Sequence, residues 1–70
     1  MTFLNLRAEI TRAGITQKDL AAKCEIPYST WRAKIAGRTP FTFGEAVKIK
    51  KILEEIQGRP LPMLEELFAE

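Results

Sequence analysis

The sequence predicts an all-α domain of five short helices, with its two central helices joined by a tight turn. Three observations predict it. Apolar residues recur at spacings of three and four along most of the chain. Capping residues (Asn5, Thr16, Thr42) precede these stripes, and glycines (Gly14, Gly37, Gly58) follow them. No window keeps the period-two alternation of a half-buried strand between turn dipeptides.

The first helix is predicted over Asn5–Ala13. Asn5 caps it, Leu6 and Ile10 share one face, and Gly14 ends it. The second starts at Thr16, where Thr16 with Asp19 forms a weaker version of the capping box. Leu20, Ala21 and Cys24 give its buried side. It ends near Cys24, because Pro27 cannot donate into a continuing helix and restricts the residue before it. The third opens at Pro27 or Tyr28, proline being tolerated in a first turn. Trp31 and Ile35 form its apolar pair, and Gly37 stops it. Thr42 and Glu45 form a capping box that opens the fourth and longest helix, running to Gln57. Ala46, Ile49, Ile52, Leu53 and Ile56 make its stripe, and Gly58 terminates it. Pro60 and Pro62 stiffen the next connection. A last short helix is expected over Met63–Phe68.

With 70 residues the chain makes one domain, 1–70, with one small core. Hydrophobic residues are 46% and charged residues 29%, too apolar for a disordered chain. There is no histidine and one cysteine. That removes Ser–His and Cys–His nucleophilic pairs, a structural zinc site and an intrachain disulfide. The carboxylates, lysines and single tyrosine form no usable catalytic spacing, so no enzyme and no cofactor are expected. The absence of an apolar run of about 18 residues argues against a membrane span. No basic-then-apolar leader is visible at the start. These features together lead to the expectation of a protein of a reducing cytoplasm that takes no small-molecule ligand.

The net charge of +2 hides an uneven distribution. Residues 1–26 carry +1, residues 27–51 carry +5, and residues 52–70 carry −4. A basic middle of this kind suits an anion-binding face; chance clustering on a solvated surface is the alternative.

Only three residues separate Cys24 from Tyr28. A link that short makes the second and third helices cross steeply, as in a helix-turn-helix. Small or apolar residues at Ala21, Cys24 and Ile26 let the two pack closely. The run Gln17-Lys18-Asp19-Leu20-Ala21-Ala22-Lys23-Cys24 through Gly37 resembles the phage Cro/repressor-type helix-turn-helix. Ser29-Thr30-Trp31-Arg32-Ala33-Lys34-Ile35-Ala36-Gly37-Arg38, followed by Phe41-Thr42, is similar to small prophage-type regulators of Gram-positive bacteria. The likeness extends from Asn5 to Phe68 and implies a compact, five-helix, lambda-repressor-like domain. Two positions depart from it. Glu25 stands where many members carry glycine, which costs about 1 kcal/mol if the left-handed backbone is kept. Pro27 stands where many carry a Ser or Thr cap.

With Trp31 and Ile35 inward, the 100° step of a helix turns Ser29, Arg32, Ala33 and Ala36 outward. The resemblance implies that this face enters the major groove of DNA, and position by position it selects Tyr28, Ser29, Arg32 and Ala33. Ser29 can bond almost any base, Arg32 can take guanine bidentately or grip a phosphate, and Ala33 can touch a thymine methyl. Gln17 matches a phosphate-contact position of the family. Lys34, Arg38 and Thr39 are placed to hold the flanking backbone. Each has a structural alternative: Ser29 and Ala33 as small surface residues, Arg32 in a surface ion pair, Gln17 acting only in its helix start. Trp31 and Cys24 read as core.

The expected function is sequence-specific binding of a double-stranded DNA operator by a transcriptional regulator of phage type, a repressor. A homodimer on two half-sites about 34 Å apart would supply specificity that one short helix lacks. Its surface candidates are the C-terminal Leu61, Met63, Leu67 and Phe68, or Val47 on the fourth helix; both sets fit the core equally well, and binding as a monomer is the alternative. The alternative is a protein-interaction module of the same fold, antirepressor-like or antitoxin-like, that does not bind DNA. The sparse reading face, without Asn or Gln, is the feature in its favour.

Overall fold

Capping chemistry accounts for most of the element boundaries. In the computed structural model, which describes residues 3–69, five helices follow one another: α1 (Leu4–Ala13), α2 (Gln17–Lys23), α3 (Tyr28–Ile35), α4 (Phe43–Gln57) and α5 (Leu64–Leu67). No strand occurs among the described residues. The Thr16 hydroxyl accepts from the Asp19 N–H at 3.0 Å and opens α2. Thr42 and Glu45 form the full reciprocal box at α4: the Glu45 N–H donates to the Thr42 hydroxyl at 3.2 Å, and the Thr42 N–H donates to Glu45 Oε1 at 2.9 Å.

Two helix ends share one device. At the end of α2 the Ile26 N–H donates to the Ala21 carbonyl and the Glu25 N–H to the Ala22 carbonyl. At the end of α3 the Arg38 N–H donates to the Ala33 carbonyl and the Gly37 N–H to the Lys34 carbonyl. Both are Schellman motifs, which require a left-handed residue. Gly37 provides it at φ 84°, but at α2 the residue is Glu25 at φ 60°.

The start of α1 departs from the sequence expectation. The capping position belongs to Phe3 in a left-handed conformation (φ 56°), and Asn5 lies inside the first turn. The Asn5 side chain instead donates to the Glu66 carbonyl at 2.9 Å, tying α1 to α5. The physical reason is the Phe3 ring, which is buried and meets Phe41 and Phe68 edge-on at 5.3 and 6.2 Å. Burying a phenylalanine is worth about 1.5–3 kcal/mol, enough to offset the roughly 1–2 kcal/mol of a left-handed residue. At the other end of the chain α5 is shorter than expected, a single turn.

Trp31, Leu6, Leu20, Ile49, Leu53 and Leu67 form the fully buried centre. α4 packs against α1, α2 and α5, while α2 packs against α3. Ala21 is 1% exposed, the small residue that close α2–α3 packing needs. Phe41, from the α3–α4 connection, bridges Trp31 (5.6 Å) to Phe68 (5.3 Å) in edge-on contacts. Such pairs add about 0.5–1.5 kcal/mol beyond burial.

Polar anchors complete the frame. The buried Glu9 carboxylate accepts from Arg12 at 2.7 Å, Arg59 at 2.8 Å and Gln57 at 3.1 Å, clamping α1 to the end of α4. An Arg7 guanidinium N–H donates to the Ile35 carbonyl at 3.1 Å and so holds the last turn of α3.

Candidate nucleic-acid interface

α3 is an eight-residue helix, about 12 Å long at 1.5 Å per residue. Trp31 and Ile35 fix its inner side: Trp31 is fully buried and Ile35 is 5% exposed. The opposite side is open. Tyr28, Ser29, Thr30, Arg32 and Ala36 are exposed, and Ala33 is half-buried beside them. α5 and the acidic segment around it pack on α1 and α4 and leave this side uncovered. The result is a convex rod of small and polar residues, of a width that the roughly 12 Å major groove of B-DNA accepts.

The site residues expected from the sequence separate into groups. Tyr28, 43% exposed, stands at the N-terminal tip of α3. Ser29 and Arg32 lie one turn apart on the open side, and Arg32 makes no ion pair among the described residues. Arg38 and Thr39 follow α3 directly and are exposed. Their backbone N–H groups both donate to the Ala33 carbonyl, at 2.9 and 3.4 Å, so the turn fixes the backbone that carries these two side chains. Gln17, the first residue of α2, lies against α3: its Oε1 accepts the Trp31 indole N–H at 3.1 Å.

Lys34 does not belong with them. The expectation that it holds a flanking phosphate is corrected by its burial: it is 6% exposed, and its Nζ donates to Glu45 Oε1 at 2.7 Å and to the Pro40 carbonyl at 3.2 Å. The reason is positional. Lys34 is three residues from Trp31 and one from Ile35, on the inward stripe, and its ammonium finds its anion inside the fold. It pins the loop from Gly37 to Phe41 to the start of α4. Burial works against the Glu45 carboxylate, yet the hydrogen bond from Lys34, the Thr42 N–H and the ammonium charge together hold its pKa below the ordinary value. The Cys24 thiol is pushed up by burial, as suits a core residue rather than a reactive one.

Sequence reasoning missed Arg7 and Glu45 as the groups that set the end of α3 and the loop after it. The i, i+3 relation of Trp31 and Lys34 was an available signal; the Arg7–Ile35 contact spans 28 residues and had none.

Of the candidate dimer residues, Leu61 (8% exposed) and Leu67 (fully buried) are core. Val47 and Phe68 are half-buried, and Met63 is exposed. Among the described residues, Phe43 is the most exposed large apolar group, at 76%. It stands at the mouth of a groove of about 420 Å³ that Phe41, Ala46, Leu64 and Phe68 also line.

No protein-family model, curated protein or solved structure matches this chain. No helix among the described residues is long and apolar enough to cross a membrane, and no cluster of three metal-binding side chains occurs among them.

Proposed function

We propose that this chain is a non-enzymatic, sequence-specific double-stranded DNA-binding regulator, acting in the cytoplasm as a phage-type repressor with α3 seated in the major groove. The observation that carries the reading is the division of α3: a buried indole behind, and Tyr28, Ser29 and Arg32 on an uncovered front. Arg32 supplies the strong base or phosphate contact, Ser29 and Ala33 the close approach, and Arg38, Thr39 and Gln17 the flanking backbone contacts. One arginine among small residues reads few bases, so phosphate contacts and DNA shape carry a large share of the affinity. A second copy on an adjacent half-site supplies the rest, and Phe43 and Met63 are the exposed apolar groups such a pairing would use.

A mobility assay on random-sequence duplexes, followed by selection of the bound fraction, tests this. Binding at low salt that weakens log-linearly as salt rises, with enrichment of a short motif, is the expected result. No binding at low salt sinks the reading and favours the interaction module. The specific observation behind that second reading is the front of α3, which holds neither Asn nor Gln.

A further inference from the structure

The contact between Trp31 and Gln17 does more than fill space. A buried indole N–H must find an acceptor, and an indole only donates. Facing it, the Gln17 carboxamide has one workable orientation, with Oε1 toward the ring; turned over, its NH2 would meet another donor. The Oε1 is at 3.1 Å from the indole nitrogen. The NH2 end donates no hydrogen bond within the described residues, and no side-chain polar atom there is both buried and unpartnered, so that end reaches solvent. Trp31 is fully buried, so its indole is held in place, and the restraint on the half-buried Gln17 carboxamide is its hydrogen bond to that ring.

We propose that Trp31 is a positioning residue: its indole N–H fixes the Gln17 carboxamide so that its two amide donors are presented to a backbone phosphate beside the groove that α3 enters. The inference rests on the DNA-binding reading and adds a device to it. Gln17 is the residue that touches the phosphate, and Trp31 acts through it. The contact is neutral and indifferent to base sequence, so it contributes affinity without contributing to the salt slope, which counts neutralising cations.

The test uses the full chain and the tightest-binding duplex recovered from a random pool. W31F removes the donor and keeps a large ring; Q17A removes the phosphate ligand; Q17E keeps an acceptor for the indole and turns the outer end into an anion. Each is assayed at a temperature where circular dichroism shows it folded. Q17A is expected to weaken binding roughly ten-fold and W31F roughly five-fold, both with the salt slope unchanged. Q17E is expected to bind more weakly than Q17A. In the Q17A background W31F should bring no further loss, because the two act on one contact. In the free protein the Trp31 indole proton should exchange with solvent slowly in the wild type and faster in Q17A. W31F binding as tightly as wild type, a five-fold loss from W31F that persists in the Q17A background, or an indole proton indifferent to Q17A each overturns the positioning role while leaving the DNA reading intact. A wild-type chain that recovers no duplex at low salt overturns both.

Discussion

Glu25 offers the sharpest test of the energetics. It closes α2 at φ 60°, a non-glycine at the left-handed position that Gly37 fills in the α3 Schellman turn. An L-residue there carries about 1–2 kcal/mol of steric cost that glycine escapes. Glycine gives back part of this, roughly 0.5 kcal/mol, through its greater freedom when unfolded. Glu25 gains little in return. Its only ion pair among the described residues is with Lys48 at 3.9 Å, and its side chain is 85% exposed, so the pair is worth a few tenths of a kcal/mol at most, about the lower end for surface pairs. Glu25→Gly should therefore stabilise the fold by about 1 kcal/mol net, a rise in Tm of about 4–8 °C for a domain of this size. Urea unfolding followed by far-ultraviolet circular dichroism should show a higher midpoint at unchanged slope. Glu25→Ala is the control, since it drops the carboxylate and keeps the strain, and it should gain nothing. Equal gains from the two variants would trace the effect to charge and refute the backbone argument; a midpoint lowered by Glu25→Gly would refute it outright.

Trp31→Ala should cost about 3–5 kcal/mol, since it removes the largest of the fully buried side chains; a barely shifted melting curve would contradict the burial. Arg32→Ala should weaken DNA binding by about 1–3 kcal/mol with Tm unchanged, and an unaltered titration would remove Arg32 from the interface. Lys34→Met should destabilise by about 1–3 kcal/mol, less than a fully buried pair would, because the Glu45 side chain keeps 25% of its surface in water; calorimetry measures it. Folding lowers the Glu45 pKa, so its contribution is full above the ordinary value of 4.5 and is lost as pH falls through the lower folded value. Urea midpoints from pH 7 downward should show that acid loss in the wild type and a weaker one in Glu45→Gln.

The helices were legible because their signals are local. Thr42 with Glu45, Thr16, and the glycines at 14, 37 and 58 mark ends through groups at most a turn away, and the Trp31–Ile35 pair oriented α3 correctly. What was hidden depends on residues distant in sequence. Phe3 takes the capping position of α1 because its ring belongs with Phe41 and Phe68, which no local pattern announces. Asn5, an ordinary cap by type, is drawn to Glu66, 61 residues away. Lys34 reads as surface by its charge; only the position of Glu45 and Pro40 in space makes it an interior strut. The candidate interface was legible for the same reason as α3, since one helix carries most of it.

The placement of the single indole has a practical consequence. With one tryptophan in the chain, fluorescence excited at its absorption edge comes from one ring, and that ring sits at the junction of α2, α3 and the loop after them. Its emission will shift toward the red when the core opens, and any movement of α2 against α3 will alter its quenching. The protein thus carries its own unlabelled optical reporter, buried directly behind the surface whose engagement one would wish to follow.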